Sequence, residues 1–163
     1  MPMSGIPKRK PGRTPELALT VQYGPRPARL PSRAKFRLWV RAALGRSARF
    51  AVRLTVRIVG VREARLLNRH YRGYDHATNV LTFIYSKQNP LEGDIAICAP
   101  VAAREAHLRG VRREAHFAHL TVHGVLHLQG FDHERAADAQ RMEKREIRIL
   151  RQLGYGDPYQ ADD

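Results

Sequence analysis

The N-terminal half of the chain alternates between strand-like and helix-like hydrophobic patterns. Apolar and polar residues alternate over 17–22 and 52–58, which predicts two strands with one buried face each. Between them, Ser32 can cap a helix whose apolar residues recur at i, i+3, i+4, i+7 and i+8, and Gly45 ends it. The inward residues of that helix are Phe36, Trp39, Val40, Ala43 and Leu44. Strands that alternate with helices predict parallel pairing.

A second helix is predicted over residues 61–71, with one apolar and one basic face. The expected inward residues are Val61, Ala64, Leu67 and Tyr71. The basic residues are Arg62, Arg65, Arg69 and Arg72. This stripe is interpreted either as a solvated face or as a surface that follows a phosphate backbone.

Two further short strands are predicted over 79–85 and 94–99. The connection between them, 86–93, is rich in turn-forming residues and too short for a helical crossover, so it predicts an antiparallel hairpin. Three more helices are expected over about 100–108, 114–129 and 136–153. The predicted fold is α+β, with a mixed sheet of about four strands packed against about five helices.

The strongest chemical signal is a histidine motif at the end of the fourth predicted helix. His123 and His127 are four residues apart, so on a helix they lie on the same face. His133 would point about 240° away from His127 if the helix continued. Gly130 can take the left-handed conformation that ends a helix and turns the chain back. We therefore expect His123, His127 and His133 to bind one metal ion.

Three imidazoles leave one position of a tetrahedral zinc site free for water, as in catalytic rather than structural zinc sites. Two histidines four apart are often only packing or surface residues, but a third behind a glycine turn favours a metal. The spacing matches the zinc-protease motif H-E-x-x-H-x-x-G-x-x-H. Gly124, however, stands where those enzymes place a glutamate base. Peptide hydrolysis by that route is therefore disfavoured.

Length and composition indicate a single soluble domain. The 163 residues are 43% hydrophobic, yet no apolar run approaches the roughly 20 residues that span a bilayer. The N-terminus has no apolar stretch behind its basic residues, so no secretory signal is expected. Cys98 is the only cysteine, which excludes an internal disulfide and favours a reducing cytoplasm. We expect a basic flexible tail at 1–16, one domain at 17–159 and a short tail at 160–163.

The net charge of +14 indicates a polyanionic partner, nucleic acid first. Residues 1–16 carry four basic side chains against one acidic, so their net charge is +3 and the remainder carries +11. The tail alone therefore does not explain the excess. The alternative is that an arginine-rich proteome makes such a charge mere background.

The histidine motif, together with five other segments, resembles the YbeY family of bacterial metal-dependent endoribonucleases. The segments are 67–72 (LNRHYR), 78–83 (TNVLTF), 93–98 (GDIAIC), 116–120 (HFAHL) and 157–159 (DPY). Their order and spacing cover the chain from about residue 17 to 159. The chain departs from the family pattern at Phe131, where a tyrosine is usual, and at Thr82, where a serine is usual.

This resemblance implies one zinc ion held by His123, His127 and His133, and cleavage of single-stranded RNA. It implies roles in ribosomal RNA maturation and ribosome quality control, with a ribosomal subunit or assembly factors as partners. The family's functionally important arginine corresponds to Arg72. No membrane partner is expected, and the pattern does not give an oligomeric state.

The expected chemistry is metal-assisted phosphodiester cleavage, in which Arg72 neutralises charge on the phosphoryl oxygens. No general base is evident, and the attacking group is either a metal-bound water or the RNA's own 2′-hydroxyl. Asp132 is interpreted either as a hydrogen-bond acceptor for a ligand histidine or as a helix cap before Ala136. His119 is expected to line the cleft or to form a hydrogen bond in the core. The rival hypotheses are a zinc peptidase with a different base and a non-catalytic RNA-binding assembly factor with a structural zinc.

Overall fold

Four strands and five helices are present in the computed structural model, which describes residues 16–24, 29–45 and 51–160. They are β1 (Leu17–Tyr23), α1 (Arg33–Leu44), β2 (Val52–Val59), α2 (Val61–Arg72), β3 (Val80–Ser86), β4 (Leu91–Cys98), α3 (Ala99–Arg109), α4 (Arg113–Leu128) and α5 (Ala136–Gln152). The expected tails, at 1–16 and 160–163, lie outside the described residues except for their innermost residue.

The strands form one mixed sheet in the order β1-β2-β4-β3. β1 pairs with β2, and β2 with β4, in parallel, whereas β3 and β4 form an antiparallel pair. The predicted α+β class, the parallel pairing of the early strands and the hairpin are confirmed. In this order β3 is an edge strand, so one side of its backbone faces away from the sheet.

A main core joins the sheet to α1, α4 and α5. The inward stripe of α1 is buried as predicted, with Phe36, Trp39 and Val40 fully inaccessible. Ser32 caps α1, since its Oγ accepts a hydrogen bond from the N–H of Lys35 at 3.3 Å. Successive residues of a strand face opposite sides of the sheet, and the ends of β2 and β4 contribute one residue each to a smaller core under α2. This second cluster contains Val59, Ala64 and Cys98.

The predicted inward face of α2 is wrong at two of its four positions. Val61 is 49% exposed and Tyr71 is 62% exposed, while Ala64 and Asn68 are buried. The small residue Ala64 brings the helix against the sheet. The side-chain amide of Asn68 donates a hydrogen bond to the backbone carbonyl of His76 at 2.9 Å. A polar residue therefore occupies the position that an apolar stripe would have filled.

The predicted start of the last strand is also wrong. β4 begins at Leu91, three residues before the expected position, and Gly93 lies within it. A Cβ at Gly93 would stand 2.5 Å from Leu128 Cδ1 and 2.6 Å from the Phe83 carbonyl oxygen. Gly93 therefore reflects close packing inside the sheet rather than a turn.

The helices as a group show no membrane-spanning character. Among the described residues, none of them combines the length and the apolar character needed to cross a bilayer.

Candidate metal centre

The three motif histidines converge where α4 ends. The N–H of Gly130 bonds to the His127 carbonyl at 2.9 Å and the N–H of Phe131 to the Leu126 carbonyl at 3.0 Å, a paired pattern that closes a helix through a left-handed residue. Gly130 supplies that residue, with φ of 95°. The expected role of Gly130 is confirmed, and the chain reverses immediately beyond it.

The reversal brings the His133 ring next to the two rings on α4. Its centroid lies 5.7 Å from that of His123 and 4.9 Å from that of His127, and the two helix rings are 4.8 Å apart. One nitrogen of each histidine falls within 4.8 Å of the other two. Three neighbouring imidazole nitrogens are a donor set suited to zinc.

His127 is a neutral imidazole over the physiological pH range. Burial first, and then the charges of His123 and His133, lower its pKa to about 4. A metal ligand must offer an unprotonated nitrogen, so this environment suits coordination.

Glu146 on α5 fixes the orientation of the His123 ring through a hydrogen bond to Nδ1. Its side chain is fully buried, and its Oε1 accepts a hydrogen bond from His123 Nδ1 at 2.8 Å. With the Nδ1 proton held there, Nε2 of His123 is left to coordinate a metal. Burial alone raises the pKa of Glu146, but hydrogen bonds from His119 and His123 outweigh it and lower that pKa to about 2.

Two further donors complete the environment of this carboxylate. Oε2 of Glu146 accepts from His119 Nε2 at 2.6 Å and from the Tyr159 hydroxyl at 2.6 Å. The expectation that His119 forms a hydrogen bond in the core is confirmed. Together, His119, His123 and Glu146 also form a group with metal-ligand atoms. Ligand atoms about 2 Å from an ion would stand roughly 3.3 Å apart, so these short contacts are hydrogen bonds rather than a second metal site.

Both interpretations of Asp132 are wrong. Its Oδ1 accepts from the backbone N–H groups of His133 at 2.6 Å and Glu134 at 3.2 Å, which stabilises its own turn. The residue that flanks the start of α5 is Arg135. The carboxylate that binds the ring of a candidate ligand histidine is therefore Glu146.

The histidines open into a cleft of about 290 Å³ that also contains Arg72. Arg72 lies at the C-terminal end of α2, and residues 78–82 supply the rest of the lining. Asn79 is held in place by Glu105, to which its Nδ2 donates at 3.0 Å. The cleft thus combines three imidazoles that can bind a metal, one guanidinium and the first residues of an edge strand.

Gly124 lies on the face of α4 that packs against β4. A Cβ at this position would stand 2.9 Å from both Cδ1 and Cγ2 of Ile95, which is itself fully buried. The close approach of helix and strand therefore excludes a glutamate side chain, the general base that the zinc-protease motif places here.

Sequence reasoning missed Glu146 and assigned no role to Tyr159. A signal for Glu146 was present, since it shares the buried stripe of α5 with Met142, Ile149 and Leu150 at helical spacing. A charged residue on an otherwise apolar face rarely stays buried without partners. Tyr159 lies beyond the last helix, and no periodicity connects it to that carboxylate.

Comparison with known proteins identifies the family. A family model described as endoribonuclease YbeY matches residues 30–154. Endoribonuclease YbeY of Nitrosomonas europaea is 49% identical over 159 residues, which cover 98% of this chain and 94% of the relative. The same-named protein of Aromatoleum aromaticum is 54% identical over 146 residues, covering 88% and 92%.

A solved structure supports the fold alone. The solution structure of TM1509 from Thermotoga maritima matches with a TM-score of 0.52 at 22% identity, over 88% of this chain and 99% of that one. The family model and the curated relatives confirm the resemblance found in the sequence, and the chain belongs to the endoribonuclease YbeY family.

Proposed function

We propose that this chain is a zinc-dependent endoribonuclease that cuts single-stranded RNA in ribosomal RNA maturation and ribosome quality control. The proposal places it in the cytoplasm, with a ribosomal subunit or assembly factors as partners. The observation that carries it is a cleft in which three imidazoles and the Arg72 guanidinium line the same space. The names of the curated relatives support RNA as the substrate.

His123, His127 and His133 would hold the ion. When bound, zinc supplies Lewis-acid chemistry for phosphodiester cleavage. The protein contributes by keeping these ligands neutral and oriented. Burial keeps the proton off His127, while Glu146 holds the proton of His123 on Nδ1.

Arg72 would bind the phosphate that reacts. A guanidinium is planar and always charged, so it offers two parallel N–H donors to phosphoryl oxygens. Charge that accumulates on those oxygens during cleavage is then neutralised in place. The net charge of +14 supports the same substrate class, because it attracts a polyanion from solution.

The rival hypotheses find less support. A peptidase of the usual zinc type needs a carboxylate where Gly124 packs against Ile95. A structural zinc usually has four protein ligands, whereas among the described residues the cluster around His127 contains three histidines and opens into a cleft.

The decisive experiment compares zinc-loaded and chelator-treated protein on one RNA in single-stranded and duplex form. We expect cleavage of the single strand only, with zinc present, and none by a His127→Ala variant that has lost its metal. Full activity of metal-free protein, or cleavage of casein without cleavage of RNA, would contradict the proposal.

The ribosomal role is tested by mapping ribosomal RNA ends in cells that carry only the Arg72→Ala variant, where unprocessed ends should accumulate.

A further inference from the structure

Four aromatic side chains lie on α2, on β3 and on the connection between them, and together we name them the aromatic surface: Tyr71, Tyr74, Phe83 and Tyr85. Three of them are more than half exposed, Tyr71 at 62%, Tyr74 at 54% and Tyr85 at 64%. Large apolar rings exposed together mark a contact site rather than a folding requirement.

Contacts among these side chains fix the rings in position. The ring of Tyr71 packs edge-on against that of Phe83, with centroids 4.8 Å apart and planes at 64°. Phe83 pairs with Asp94 across the β3–β4 ladder, whose register shifts at Tyr85. The Tyr85 hydroxyl donates to Asp94 Oδ2 at 2.8 Å. Rings held this way lose little freedom when a planar ligand stacks on them.

The aromatic surface is continuous with the cleft through Arg72. Its guanidinium lies 5.5 Å from the centroid of the Tyr74 ring, and the same residue lines the cleft beside the histidines. The cleft, at about 290 Å³, is at the small end of ligand pockets. It can enclose about one nucleotide, so neighbouring nucleotides must lie outside it.

We propose that nucleotides on one side of the cleaved bond leave the cleft past Arg72 and stack their bases on Tyr74 and Tyr71. This inference rests on the proposed function and deepens it. Aromatic rings bind any unpaired base, and the Arg72 guanidinium beside the Tyr74 ring complements the phosphate backbone. Bases inside a duplex already stack on each other, so a surface of this kind selects single strands.

The test uses full-length, zinc-loaded protein and a single-stranded oligoribonucleotide that carries 2-aminopurine, a base whose fluorescence falls when it stacks. Quenching is measured by rapid mixing before turnover, and kcat and KM are measured on the same oligonucleotide. The variants are Tyr74→Ala, Tyr71→Ala and Tyr74→Phe. Leu66→Ala is the matched control, since Leu66 is apolar, 56% exposed and on the same helix.

We expect both alanine variants to raise KM about fivefold to about a hundredfold, the range that corresponds to one lost stacking contact, and to lose quenching. Their kcat should stay within about twofold. Tyr74→Phe keeps the ring and should match the wild type, as should Leu66→Ala. Melting temperatures establish that each variant is folded.

Two results would overturn the inference. One is wild-type KM and quenching in both alanine variants. The other is a lower kcat with unchanged KM and quenching in Tyr74→Ala, which would mean that Tyr74 only supports Arg72. Wild-type protein that quenches but never cuts would contradict the proposed function and support the stacking surface. Wild-type protein that cuts with no effect of either alanine change would overturn the stacking surface alone.

Discussion

At the scale of single residues, Glu146 shows how one buried charge can organise a surface site. Its two oxygens accept hydrogen bonds from His119, His123 and Tyr159, and its own side chain is fully buried. A carboxylate is the only common side chain that offers this many acceptor positions and no donor. His123 is thereby held in one tautomer before any ion arrives.

Replacing that carboxylate by an amide tests its positioning role. Glu146→Gln turns one acceptor into a donor facing other donors, so His123 loses its fixed orientation. We expect zinc affinity to fall about 10- to 100-fold, measured by competition with a chromophoric chelator. The exposed Glu143→Gln on the same helix is the control and should bind zinc normally. Unchanged affinity in Glu146→Gln, with the fold intact by circular dichroism, would refute the role.

Arg72 is expected to act on substrate and not on the metal. Arg72→Ala should keep full zinc content but reduce kcat about 10²- to 10³-fold, because an oriented charge on the transferring phosphoryl group is lost. Zinc content is measured by elemental analysis and cleavage on single-stranded RNA. Arg69→Ala, three residues earlier on α2 and outside the lining of the cleft, is the matched control. Turnover at the wild-type rate in Arg72→Ala would show that another group binds the phosphate.

At the scale of elements, the site depends on how closely α4 approaches β4. Gly124 and Gly93 each lie where a Cβ would stand under 3.0 Å from a neighbour, one against Ile95 and the other against Leu128 and Phe83. Small residues on both elements let the helix that bears His123 and His127 rest directly on the sheet. The histidines are therefore carried by a rigid support.

Gly124→Ala tests that support. The added methyl group would overpack the contact with Ile95, so we expect a loss of about 1–3 kcal/mol in the free energy of unfolding. Urea denaturation of zinc-free protein measures it. Gly156→Ala is the control, because nothing lies within 4 Å of a Cβ there and no positive φ opposes the change. Equal stability of the two variants would mean that the contact relaxes freely.

The elements themselves were largely predictable from sequence, whereas their finer contacts were not. Apolar periodicity located α1 and β2, and the glycine turn at Gly130 correctly predicted that His133 would join the histidines of α4. Gly93 was mistaken for a turn residue because sequence does not show that a helix side chain packs over it. Tyr71 was assigned to the core because an aromatic ring at helical spacing has the same pattern whether it is buried or exposed for binding.

At the scale of the whole molecule, protonation connects the site to the stability of the fold. His127 and Glu146 both have lowered pKa values, about 4 and about 2. In each case the unfolded chain takes up a proton at a higher pH than the folded one. Acid therefore favours the unfolded state. The free energy of unfolding begins to fall as the pH drops to the ordinary pKa of histidine.

We expect the stability of zinc-free protein to be level above about pH 6.5 and to fall from there to about pH 4 as the unfolded chain protonates His127. Glu146 adds a second loss between about pH 4.5 and 2. The histidine contribution is on the order of 1–3 kcal/mol after allowance for its partial exposure. Urea midpoints at several pH values measure it. His127→Gln should reduce the first step without removing it, because burial also lowers the pKa of His116. A wild-type midpoint that stays constant from pH 7 to 4.5 would contradict this linkage.

The contact between Gly124 and Ile95 also restricts how this scaffold can diverge. To place a glutamate base on α4, this scaffold would need a larger residue at Gly124 and, at the same time, a smaller residue at Ile95. Either change alone leaves a clash or a void, so each intermediate would be less stable than both end points. A lineage that carries this glycine is in that respect separated by a stability barrier from proteases whose histidine spacing it shares.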